Sequence, residues 1–125
     1  MTFDWAEYLS LAKKLAHQAG ANPEQEACKR SAVSRAYYAA FVRARNYLRD
    51  NEAVNIPPNG QAHRIVRKRF QTSPSLERTT IGQYLDRLRR DRNRADYDDH
   101  FPELSSSVMD DLERAERVLS TLCEL

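Results

Sequence analysis

Residues 81–97 read IGQYLDRLRRDRNRADY, and their spacing decides the fold. Ile81, Tyr84, Leu85 and Leu88 recur at i, i+3, i+4 and i+7, one face of a helix. Continuing that face brings Arg92, Ala95 and Asp96 toward the same interior. An unpaired buried charge is costly. Arg92 and Asp96 are therefore expected to pair with each other or with polar groups from elsewhere, and to be largely buried and joined to Arg35 or Tyr37. Charge placed where a core wants carbon marks a candidate site.

Outward from this stretch the same period recurs. A first helix over about residues 4–20 carries Trp5, Tyr8, Leu9, Ala12 and Ala16, with Thr2 or Asp4 as cap and Gly20 as stop. A second opens at Asn22-Pro23-Glu24: a cap, a proline in the first turn and an acid at the positive dipole end. It runs to about residue 50, with Val33, Ala36, Tyr37, Ala40, Ala44, Tyr47 and Leu48 facing inward. The alanines admit a close neighbour. Residues 51–60, containing Pro57-Pro58-Asn59-Gly60, form the one substantial loop. A short basic helix spans about 63–71, and residues 72–75 end it and cap a helix from about 76 into 95–97. Pro102 restarts a last helix to about 122, with Leu104, Val108, Leu112, Ala115, Leu119 and Leu122 as its stripe. No alternating strand pattern persists. The expected fold is all-α, an antiparallel up-and-down bundle of four main helices plus a short basic helix, in one domain over residues 1–125.

Composition narrows the function classes. With 125 residues, 41% hydrophobic and 30% charged, the chain can build a core and is expected to be soluble. No apolar run is long enough for a membrane span, and MTFDWAEYLS lacks the pattern of a secretory signal, so a cytoplasmic location is expected. Cys28 and Cys123 lack metal-ligand spacing and are expected to be free thiols. No His pair at i, i+4, no Cys/His cluster and no Gly-rich phosphate loop occurs, so neither a metal nor a cofactor is expected.

The net charge of +2 is unevenly spread. Arg64, Arg67, Lys68 and Arg69 form one basic run; Arg87, Arg89, Arg90, Arg92 and Arg94 form another. Asp86 and Asp91 lie among the latter, and the runs are either two patches suited to a phosphate backbone or a solvated face balanced by Asp96, Asp98, Asp99, Glu103, Asp110 and Asp111. His100 either moves a proton beside these arginines or flanks the turn before Pro102. His63 either touches a phosphate or holds the loop through a hydrogen bond, and the structural role is preferred.

Ser34-Arg35-Ala36-Tyr37-Tyr38-Ala39-Ala40-Phe41 resembles the S-R-x-Y-Y-A-x-F signature of HEPN-domain proteins. Arg92-Asn93-Arg94-Ala95-Asp96-Tyr97 is similar to the R-x-x-A-D-Y motif of their small stand-alone branch. Gln61-Ala62-His63, followed by Phe70, is similar to the branch's T-H-x-G segment without its Thr and Gly. The resemblance covers about residues 4–122. It implies a helical bundle, a homodimer, and association with RNA cleavage, toxin–antitoxin systems or minimal nucleotidyltransferase partners. In the active RNase branch an Arg–polar pair is followed by a His. Aligned on Arg92-Asn93, Tyr97 stands where that His would; Arg94 and His100 give a looser version with Ala95 in the polar position. Tyrosine titrates near pH 10 and shuttles protons poorly at neutral pH. The expectation is a domain of a prokaryotic toxin–antitoxin or defence-type module that binds RNA, a nucleotidyltransferase, or both. Arg64, Arg67, Lys68, Arg69, Arg92 and Arg94 would contact RNA, and Arg35, Tyr37, His63 and Asp96 would form a structural polar network. One alternative is a metal-independent endoribonuclease toxin using Arg92, Asn93, Arg94, Tyr97 and His100. The other is a helical protein-interaction scaffold.

Overall fold

A computed structural model describes residues 2–125. The elements are α1 (Ala6–Ala19), a 3₁₀ turn (Pro23–Gln25), α2 (Glu26–Glu52), α3 (Gln61–Gln71), α4 (Leu76–Tyr97) and α5 (Leu104–Glu124). No strand occurs among the described residues. The fold is an all-α bundle with α2 at its centre, packed against each of the other helices. Its alanines explain that position. Ala32, Ala36, Ala39, Ala40 and Ala44 are fully enclosed, and a face of methyl groups lets neighbouring helices come close. No helix is long and apolar enough to cross a membrane, and Cys28 and Cys123 are both free thiols.

Short side chains set the helix ends. Asp4 Oδ1 accepts the Ala6 N–H at 3.0 Å, so α1 begins two residues beyond its cap. Asn22 Oδ1 accepts the Glu24 N–H at 3.0 Å, as its sequence position predicts. The proline turn it caps is, however, a separate 3₁₀ turn, and α2 begins only at Glu26. The basic helix starts at Gln61 rather than His63, because Asn59 Oδ1 caps the Gln61 N–H at 2.9 Å. Ser75 Oγ accepts the Arg78 N–H and starts α4. Where α3 meets α4, Gly82 allows close contact: a Cβ there would lie 2.6 Å from Gln71 Cγ and 2.8 Å from its backbone nitrogen.

The α4 stripe buries Ile81, Leu85, Leu88 and Ala95, as the spacing requires. Its deepest charge is a correction to the sequence reading. Asp91 is 2% exposed, while the Arg92 and Asp96 side chains keep 17% and 28%. Arg92 is long enough to carry its guanidinium out of the interior, and Asp96 follows it to the surface. Asp91 is too short to leave and is covered by α5.

Candidate functional site

The site forms where α2 and α4 leave a groove open to solvent. Ser34 to Phe41 lie on the middle of α2, with Tyr37 turned inward and Arg35 and Tyr38 only half buried. Arg92 faces them from α4. Its Nε lies 2.9 Å from Asp96 Oδ2, yet the N–H is not aimed at that oxygen, so the contact is an ion pair without a hydrogen bond. Asp96 also accepts from Ser34 Oγ at 3.4 Å, and Ser34 Oγ accepts from Arg35 Nη2 at 3.4 Å. The expected link from Asp96 into α2 thus exists through Ser34. Neither Arg35 nor Tyr37 touches it directly.

Tyr38 is the centre of the groove. The guanidinium carbons of Arg35 and Arg92 each sit 5.2 Å from its ring centroid. Arg35 also lies 4.9 Å from the Tyr8 ring. Trp5, Phe41, Val42, Arg45 and Asp96 complete the lining. Such contacts favour a cation over an aromatic face; Arg92 is also paired with Asp96, whereas Arg35 is held without a carboxylate. Arg35, Arg45 and Arg89 have no carboxylate partner among the described residues. Arg45 donates only to the neutral amide of Asn46, at 3.2 and 3.0 Å. Burial, and then the neighbouring Arg49 charge, lower its proton affinity.

Behind the groove, Tyr37 and His63 form a second anchor. The Tyr37 hydroxyl and His63 Nδ1 make a very short hydrogen bond, and Phe41 stacks on the imidazole at 4.3 Å. Burial raises the Tyr37 pKa far above the phenol range, so the hydroxyl keeps its proton. Burial lowers the His63 pKa, and the Arg89 and Arg92 charges lower it further. A neutral imidazole accepting at Nδ1 carries its own proton on Nε2.

The charge runs resolve unevenly. On α4, Arg87 pairs with Asp91, Arg90 with Asp86, Arg92 with Asp96 and Arg94 with Asp98, all at i, i+4. That face is largely self-balanced, and Arg89 is its one unpaired arginine among the described residues. On α3, Arg67 pairs with Asp86 at 3.2 Å and is half buried, while Arg64, Lys68 and Arg69 are exposed without an ion pair among the described residues.

The Arg94–His100 candidate pair is not assembled. Arg94 Nη2 donates to Glu103 at 3.1 Å, and its guanidinium stacks 4.1 Å over Phe101. His100 is exposed in the turn before α5 and has no hydrogen-bond partner among the described residues. Tyr97 is 73% exposed, and Asn93, also exposed, accepts from Arg92 at 3.0 Å.

Two features escaped the sequence reading. Arg30 donates from Nη1 to the carbonyls of Arg94, Ala95 and Asp98, at 3.3, 3.0 and 2.6 Å, and from Nη2 to Asp99 at 3.3 Å. It thereby holds the motif end of α4, placing a cation on the negative end of the dipole. No local signal marks this, because its partners are carbonyls more than sixty residues away. The second is a buried carboxylate pair, Asp91 and Asp111. These acids are 2% and 0% exposed. Arg114 Nη1 donates to Asp111 Oδ1 at 2.9 Å and lies 3.8 Å from Asp91 Oδ2.

The chain matches no family model, no curated protein and no solved structure.

Proposed function

We propose that this chain is a HEPN-like domain that binds RNA through the groove between α2 and α4. The observation that carries this reading is Tyr38, flanked by Arg35 and Arg92 at 5.2 Å each, beside the unpaired Arg45. Guanidiniums attract phosphates and an aromatic face stacks bases, the combination that single strands require. Binding is favoured over cleavage, because Arg94 is held by Glu103 and Phe101 and does not meet His100. The resemblance adds a homodimer in a prokaryotic toxin–antitoxin or defence-type module and a minimal nucleotidyltransferase as partner.

The test is binding of a labelled RNA oligonucleotide by anisotropy, with a parallel cleavage assay in EDTA. Arg35→Gln and Tyr38→Leu are each expected to weaken binding at least fivefold, with no cleavage by any form. Affinity unchanged in both variants would contradict the groove. Loss of RNA affinity at every salt concentration would favour the protein-interaction scaffold. Metal-free cleavage abolished by His100→Ala would favour the endoribonuclease.

A further inference from the structure

The groove continues into a second cleft, of about 590 Å³, between α2, the start of α3 and the loop that joins them. Phe41 and Arg45 line both. This volume lies in the range of small-molecule pockets. The outer wall is apolar and stiff, formed by Ile56, Pro57 and Pro58. No carboxylate lines the cleft.

Several donors that line the cleft are left free by the protein. The buried Tyr37 hydroxyl has His63 Nδ1 as its one partner, and donating its proton there leaves the imidazole N–H on Nε2, which has no partner among the described residues. Phe41 fixes the plane of that ring at 4.3 Å. Arg45 uses Nε and Nη2 on Asn46 and leaves Nη1 free. Asn55 and Asn59 add side-chain amides, of which only Asn59 Oδ1 is engaged, by the Gln61 N–H. The positive end of the α3 dipole lies alongside, and no acid occupies the first turn of that helix.

An internal phosphodiester offers two free oxygens and one negative charge. A terminal phosphate monoester offers three oxygens and up to two charges. His63, Arg45, Asn55 and Asn59 together offer enough donors to meet the second. We infer that this cleft receives the terminal phosphate of an RNA strand lying in the groove, held by His63 Nε2–H and Arg45. The inference rests on the RNA-binding reading and names the part of the RNA that this region selects. Free nucleotides carry the same monoester. Continuity with the groove through Phe41 and Arg45 favours the strand end.

The experiment compares one short RNA in three forms: 5′-phosphorylated, 3′-phosphorylated and hydroxyl at both ends. AMP serves as competitor. One phosphorylated form is expected to bind at least fivefold tighter than the hydroxyl form. Asn55→Ala should reduce that preference to less than twofold while holding the hydroxyl form within about twofold of wild type, and His63→Gln should likewise lose the preference. If His63→Gln loses its helical circular dichroism, Asn55→Ala carries the test alone. On adding the preferred RNA, the His63 imidazole resonances should move and its titration should shift upward, since an anion stabilises imidazolium. Equal affinity for all three forms would overturn the strand-end inference and leave the groove standing. AMP displacing the phosphorylated RNA at equimolar concentration would replace it with a free-nucleotide pocket. No binding of any form would remove the RNA reading and this inference with it.

Discussion

Asp111 is fully enclosed between α4 and α5. Burial, then the hydrogen bond and charge of Asp91, push its pKa up to about 8 against the pull of Arg114. The proton kept on Asp111 faces Asp91 and supplies the partner that their buried Oδ2 atoms otherwise lack. The unfolded chain releases this proton near its ordinary 3.8, so between there and about 8 the folded state holds one proton more. Stability therefore falls as pH rises through that window, by up to about 1.4 kcal/mol per pH unit. Asp111→Asn cannot titrate, and urea unfolding of it at about pH 5 and about pH 7.5 should show a flatter dependence than wild type. Parallel curves for the two proteins would rule out the shared proton. The sequence could not place this pair. Asp91 lies at the edge of the α4 stripe, and period alone does not say how far α5 covers that edge. Arg92 and Asp96 were legible as a pair because both sit on one helix at i, i+4.

The helices were legible because their apolar periods and caps agree. Asp4, Asn22 and Ser75 each accept the backbone N–H that their position implies. What joins one element to another was less legible, because such contacts leave no local pattern. Arg30 is the clearest case. Arg30→Ala would strip four carbonyls at the end of α4 of a charged donor, at a cost of about 2 kcal/mol. Faster amide exchange over residues 94–99 should accompany the loss, and unchanged exchange there would count against the cap. Gly82 is the second case. Gly82→Ala would push α4 off Gln71 and destabilise by about 1–3 kcal/mol, the usual range for overpacking, read as a lower unfolding midpoint. A more stable Gly82→Ala would show that the α3–α4 contact gives way freely. The groove itself was half legible: Arg35 and Arg92 stood out in the sequence, whereas Arg45 and the stacking role of Tyr38 needed the α2–α4 geometry.

At the scale of the molecule, a net charge of +2 hides a division of labour. Most α4 arginines are balanced by acids on their own helix or at its end, and uncompensated charge remains on the groove face and on the exposed side of α3. The homodimer proposed from the resemblance is tested at this scale too. Light scattering at tens of micromolar is expected to give about twice the 14.5 kDa chain mass, and a monomeric mass would contradict the homodimer. The central claim is that uncompensated guanidiniums of the groove hold an RNA backbone. The most direct measurement is the slope of log affinity for single-stranded RNA against log salt concentration, for wild type and for the Arg35→Gln/Arg45→Gln double variant. Each phosphate contact contributes about −0.7 to that slope, so the variant should be shallower by about 1.4. Equal slopes for the two proteins, or wild-type affinity that does not change with salt, would contradict the account.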